Sequence, residues 1–327
     1  LGMEKTSDRS MLSSKNFALS ESMGSNSYAL GSEVTQTGKA MLLGNPHYPW
    51  RGPRRFYQVH MTIPGEMNIM GITILGSSLI NVGFTDKLAW THTVSNANRF
   101  TLYELDLSDQ DRDVYFFDRK RLRIRSMPVT VEVKEDDGTL TKETIKLNFS
   151  RYGLLLDVGI LLDDESLTGW PNKDGKVFAI RDVAMENTRV GDTLVGMSTA
   201  KSFDQFVGAI KDNLGLSFIN TIAVNSNGEA FYGDYSTVPY LTDEQLLDCQ
   251  PSETGRALNR SSVDLLRNPA GIPVLAGNRS ECDWIVDPAS PQEGLIPGEK
   301  LASIRTNQYA SNSNDSYWLV NLDKPLT

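Results

Sequence analysis

The sequence predicts an α+β fold, with strands arriving in runs and helices set apart from them. Three observations predict it: β-rich segments follow one another from Ser27 onward, the helical period is confined to the middle of the chain, and no Gly-rich phosphate loop follows a strand. The first and the last argue against a doubly wound nucleotide-binding sheet. The 327 residues suffice for a sizeable core in one or two domains. About 44% of them are apolar once glycine is counted in and tyrosine out, an ordinary globular share. A net charge of −9 sets polynucleotide partners aside, because nucleic-acid affinity rests on clustered Lys and Arg.

In chain order, residues 1–24 are polar and serine-rich and read as a spacer. The chain opens without an initiator methionine or signal-peptide pattern, which leads us to expect an excised fragment. Phe56 to Ile63 alternates Tyr57, Val59, Met61 and Ile63 with Gln58, His60 and Thr62 before Pro64-Gly65, the mark of a half-buried strand. Met67 to Thr85 lacks charged side chains but is broken by Gly, Asn, Ser and Thr, so it reads as buried strands and not as a membrane span. Leu79–Phe84, Leu88–Val94 and Thr101–Leu107 continue the β runs. Val129, Val131 and Val133, then Asp136-Asp137-Gly138, then Ile145, Leu147 and Phe149 spell a hairpin. Asp192–Ala200 suggests a first helix. Ser202 and Gln205, with Phe203, Phe206, Val207, Ile210 and Leu214 as the apolar face, give a firmer second one. Strands are expected again at Asn220–Val224 and Glu229–Tyr232, and residues 241–300, rich in Pro, Gly, Asp and Ser, are expected to wrap the surface.

The three histidines, His47, His60 and His92, are too dispersed for a zinc site, and no Gly-x-Ser-x-Gly elbow offers a hydrolase serine. No metal or cofactor is called for. A serine at a freshly cut N-terminus, however, carries its own base, since an α-amino group with a reference pKa near ~8 can accept the hydroxyl proton. Gly24-Ser25-Asn26-Ser27-Tyr28-Ala29-Leu30-Gly31 has the features: a flexible approach, a small residue before the cut, and a serine opening a β run. Alone, it reads first as an ordinary loop-to-strand turn. Cys249 and Cys282 are by count either a single bridge or two buried thiols.

Ser25 is followed by Asn45-Pro46-His47-Tyr48-Pro49-Trp50, by Phe84 with Trp90-Thr91-His92-Thr93-Val94, and by Asn312-Ser313-Asn314-Asp315-Ser316-Tyr317-Trp318. In order and spacing these motifs resemble the penicillin acylase family of N-terminal-nucleophile hydrolases, above all its branch of N-acyl-homoserine lactone and aculeacin-type acylases. The resemblance runs from about Gly24 to the end of the chain. It implies an αββα sandwich of two stacked antiparallel sheets, of which residues 25–327 would be the N-terminal part of a β-subunit. The α-subunit cut from the same precursor would be its partner. It implies cleavage between Gly24 and Ser25, Ser25 as nucleophile and amine base, and His47 beside that amine. Val94 would supply a backbone N–H, and Asn314 a side-chain N–H, to an oxyanion hole. Asn312, two residues away and on the same face of a strand, is the second choice for the latter role.

Tyr48, Ile74, Leu75 and Trp170 are candidate lining for an acyl pocket, while His60 and His92 read as structural. The resemblance further implies a periplasmic or secreted bacterial location and hence a Cys249–Cys282 bridge. The expected reaction is hydrolysis of an N-acyl amide, with N-acyl-homoserine lactones first and a β-lactam or acylated lipopeptide as alternatives. Outside that class stand an apolar-ligand-binding module that never cuts itself and an inert structural piece.

Overall fold

The computed structural model describes residues 24–52, 54–158, 175–266 and 271–326. The spacer reading of the first residues and Trp170 therefore lie outside the described residues, while Gly24 already belongs to a strand. The chain divides into two compact units that interleave along the sequence.

One unit comprises Phe100–Asp182 and Leu241–Trp284; the other holds residues 24–99, Val183–Tyr240 and Ile285–Thr327. The second carries β1 (Gly24–Leu30), β2 (Met41–His47), β3 (Phe56–Ile63), β4 (Met67–Ile74), β5 (Val82–Phe84) and β6 (Leu88–Val94). The first contributes β7 (Phe100–Asp106), β8 (Val114–Phe117), β9 (Lys120–Arg123), β10 (Arg125–Lys134), β11 (Leu140–Ser150), β12 (Gly153–Leu156) and β13 (Lys176–Asp182). The chain then returns to the second unit with α1 (Val190–Thr199), α2 (Phe203–Asn213), β14 (Ile219–Asn225) and β15 (Ala230–Gly233). It crosses back with α3 (Asp243–Asp248), α4 (Glu253–Leu266) and β16 (Val274–Ala276), and closes on β17 (Ser303–Thr306) and β18 (Tyr309–Asn312).

In the unit that opens at Gly24, an antiparallel sheet of order β17-β15-β14-β6-β5-β4-β3 is stacked with a three-stranded sheet β18-β1-β2. The two-residue side-chain period explains the stacking. On β6, Trp90 packs on Phe206 of α2 while its neighbour Ala89 turns to the three-stranded sheet. On β15, Phe231 meets Phe203 of α2, and Ala230 and Tyr232 face the other way. The inter-sheet layer joins Ala29, Ile222, Val224, Ala230, Tyr232 and Ala310, and its small members let the sheets close up. Helix, sheet and sheet thus form three layers. α2 starts where its cap predicts, with Ser202 Oγ accepting the Gln205 N–H. His60 is held by Asn68 at 2.7 Å on the neighbouring strand, and His92 is buried.

In the other unit, β10-β11-β12-β13-β7-β16 form a six-stranded sheet, antiparallel except that β16 runs parallel to β7. Asp137 and Gly138 turn the β10–β11 hairpin as expected, with Gly138 at φ 87. The expectation that residues 241–300 merely wrap the surface needs correction. Leu258, Ile272 and Val274 pack on Leu102 and Phe178, and Cys249 and Cys282 are bridged with Cα atoms 5.6 Å apart. α4 spreads its apolar positions at helical spacing among polar ones, which a composition reading averages away. No helix among the described residues is long and apolar enough to cross a membrane.

Candidate active site

β1 begins at the proposed cut. Ser25, Ser27 and Ala29 point inward and are buried, whereas Tyr28 is exposed, so alternation carries the Ser25 side chain into the space between the sheets. The antiparallel register sets Gly24 against His47 and Ser25 against Pro46, and on the other flank Ser27 against Asn312. Gly24 and Ser25 are the first two residues of the strand.

Ser25 Oγ donates to the carbonyl oxygen of Gly24 at 2.5 Å, beside the carbon it would attack. The Ser25 N–H donates to Asn314 Oδ1 at 2.8 Å, and Asn314 Nδ2 lies 3.4 Å from the Val94 carbonyl. A donor on one side and an acceptor on the other fix which way the Asn314 amide points. A β-carbon at Gly24 would sit 2.9 Å from Asn314 Oδ1 and 3.6 Å from His47 Nδ1, so these three residues enclose one small space. His47 is exposed, with Asn45 Nδ2 3.2 Å from its Nε2.

Val94 ends β6. The Ser95 N–H bonds Phe218 O, toward β14, so alternation turns the Val94 N–H to the opposite edge. β5 reaches β6 only at Trp90 and Ala89, which leaves that amide unclaimed by any described strand. The candidate residues Ser25, His47, Val94, Asn312 and Asn314 are therefore assembled in one place.

The geometry also separates the two asparagines. Asn312 Oδ1 accepts from Thr93 Oγ1 at 2.6 Å and from the Asn314 N–H at 2.9 Å, and Asn312 Nδ2 donates to Asp315 O, so that amide is committed to holding the turn. The Asn314 amide alone of the two touches Ser25. Asn314 takes the left-handed conformation at φ 71, one that asparagine tolerates.

Of the proposed pocket residues, Tyr48 stacks near Phe56 at 4.8 Å and Ile74 lies opposite Phe56 in register. β4, which carries Ile74, is two strands from β6, roughly 10 Å of sheet, and Leu75 just beyond it is exposed. Tyr48 directly follows His47, the strand partner of Gly24, whereas Ile74 and Leu75 lie farther along the sheet.

Sequence reasoning missed four neighbours. Asn96 Nδ2 donates to Asn314 O at 2.5 Å, and Asn220 and Tyr232 lie buried behind Val94. Asp234 accepts from Ser95 Oγ at 2.9 Å and Ser236 Oγ at 3.1 Å; burial raises its carboxyl above the ordinary range, against the pull of those hydroxyls and Arg99. The signal that could have found Asn220 is an amide on the same strand face as the apolar Ile222 and Val224. His92, also buried, is pushed down to about 4 by desolvation, opposed by the carbonyls of Asn220 and Asn81.

Comparison with known proteins shows the family. Residues 3–326 match the family model described as penicillin amidase. The acyl-homoserine lactone acylase PvdQ of Pseudomonas fluorescens is 36% identical over 303 residues, covering 93% of this chain and 36% of that protein. Aculeacin-A acylase of Actinoplanes utahensis is 33% identical over 307 residues, covering 94% of this chain and 36% of that one. The chain thus spans about a third of the length of the relatives it matches. In structure it resembles the thermostable penicillin G acylase of Alcaligenes faecalis, with a TM-score of 0.65 at 14% identity over 92% of this chain and 45% of that one, a likeness of fold.

Proposed function

Because this chain belongs to the penicillin amidase family, we propose that it carries the self-processing and acyl-transfer centre of an N-acyl amide hydrolase. The observation that carries this reading is the pair of bonds at the Gly24–Ser25 peptide, the Ser25 hydroxyl on the Gly24 carbonyl and the Ser25 N–H on Asn314. Oγ loses its proton and adds to the Gly24 carbonyl carbon, the C–N bond breaks, and the nitrogen takes up the proton that Oγ gave up. Water then hydrolyses the resulting ester, leaving a Gly24 carboxylate and a free Ser25 amine.

In the second reaction that amine accepts the Oγ proton as Oγ attacks the substrate's acyl carbon. The negative oxygen is met by the Val94 N–H and Asn314 Nδ2, two neutral donors whose loss costs roughly 3 kcal/mol each. The amine returns its proton to the leaving nitrogen, and water releases the acid. His47, opposite Gly24 in register, would influence the amine's protonation.

On this reading, helix, sheet and sheet are three layers of an αββα sandwich, and the segment before Ser25 supplies the partner α-subunit. Acyl-homoserine lactones are the first substrates to try, because the relatives named for them match over most of this chain; a β-lactam or lipopeptide is next, and a periplasmic or secreted location goes with the reading. The test is mass spectrometry and product analysis on the full-length protein. A chain beginning at Ser25, release of fatty acid and amine, and loss of both in Ser25→Ala are expected. An intact chain without turnover would leave the ligand-binding alternative standing.

A further inference from the structure

A buried polar chain lies behind the two oxyanion donors. Tyr232 Oη donates to Asn220 Oδ1 at 2.9 Å. Asn220 Nδ2 lies 3.1 Å from Thr93 Oγ1, 3.2 Å from the Val94 carbonyl and 3.4 Å from Asn312 Oδ1. With two hydrogens for three acceptors, Asn220 serves Thr93 and Val94 best. Thr93 hands the chain on by donating to Asn312 Oδ1 at 2.6 Å, and that same oxygen holds the Asn314 N–H. Asn220, Tyr232, Thr93 and Asn312 are all almost wholly inaccessible. Burial drives the Tyr232 hydroxyl far above its ordinary range, which keeps it a donor.

Val94 and Asn220 belong to the seven-stranded sheet, while Asn312 ends β18 in the three-stranded one. Elsewhere those sheets meet through apolar side chains, a contact without direction. Hydrogen bonds fix distance and angle, and oxyanion donors must stand within about 2.7–3.1 Å of the oxygen they stabilise. An apolar residue at position 220 would fill the space but leave the Val94 carbonyl and the turn 312–315 free to shift relative to each other.

We propose that Asn220 is a positioning residue that, through Thr93 and Asn312, holds Val94 and Asn314 at the spacing the oxyanion needs. The proposal rests on the function proposed above and deepens it.

The experiment uses the full-length protein, with rates normalised to the amount of chain beginning at Ser25 and folding followed by melting temperature. Asn220→Ala, Tyr232→Phe, Thr93→Val and Thr93→Ser are compared with the unaltered protein. The readouts are kcat and KM on an acyl amide and the Kd of two probes: an alkylboronic acid, which adds to Ser25 Oγ to form a tetrahedral adduct, and a fatty alcohol of equal chain length. Asn220→Ala and Thr93→Val are expected to lower kcat about tenfold to a hundredfold with KM nearly unchanged. Boronate affinity should fall by the same factor and alcohol affinity should hold. Tyr232→Phe is expected to give the same pattern more weakly, and Thr93→Ser, which keeps the hydroxyl, to recover most of the rate.

If Asn220→Ala does not fold, Thr93→Val and Tyr232→Phe decide the matter. Equal losses in Thr93→Val and Thr93→Ser, alcohol affinity falling in step with kcat, or boronate binding untouched in all variants would overturn the proposal. An unaltered protein that neither turns over amides nor binds the boronate overturns the functional reading and this inference with it. An active one with indifferent variants overturns the inference alone.

Discussion

Gly24 is small because of what surrounds it. A methyl group there would press on Asn314 Oδ1 at 2.9 Å, the atom that holds the Ser25 N–H. Gly24→Ala is therefore expected to slow conversion of precursor to cut chain, read as the intact fraction on a denaturing gel over time. An unchanged rate would mean that the Asn314 contact is dispensable for cleavage. Asn314→Ala should lower kcat by ~10²–10³ with little change in KM; steady-state kinetics on chain already cut checks it.

His92 gives a prediction about pH. Its folded pKa, near 4, lies below the unfolded value near 6.5, so the unfolded chain binds the extra proton first. Its contribution is complete above about pH 6.5 and is lost as the pH falls toward 4, at up to about 1.4 kcal/mol per pH unit. His92→Gln should flatten the acid side of a denaturant-midpoint profile, and an unchanged slope would refute it. The residues of the site were legible in unequal measure. Ser25, His47, Val94 and Asn314 stand in recognisable motifs, whereas Asn220 and Asn96 matter through partners 126 and 218 positions away, which local pattern cannot reveal.

At the scale of elements, the sequence was clearest where one periodic face meets a defined start. β3 and β6 have the expected bounds, and α2 follows its Ser202 cap. Ser202→Ala should cost about 1 kcal/mol in a chemical melt. α3 went unread because it is only six residues long, and α4 because its apolar positions are spread among polar ones in a segment rich in turn formers. α3 nonetheless carries the reciprocal Thr242–Gln245 capping box, a signal that was present in the sequence. β16, three residues long, has too few positions for any period to show.

At the scale of the whole molecule, the family was legible from several motifs in fixed order, but the division into two interleaved units was not, because chain order says nothing of which distant strands share a sheet. The bridge between Cys249 and Cys282 closes a loop with a sequence separation of 33. Replacing both by serine should lower unfolding free energy by about 2–4 kcal/mol, measured by denaturant titration with and without reductant.

β1 runs unbroken through the bond proposed for cleavage, and Gly24 is the strand partner of His47. On the proposed reading, scission cannot set the new terminus adrift, since five further residues of the same ribbon keep it moored between its two neighbours. What departs is the glycine, and the berth it vacates beside the hydroxyl is where an incoming acyl group must dock. The protein's own backbone would then be its first customer, and the shape of that one-time guest would prefigure every later one.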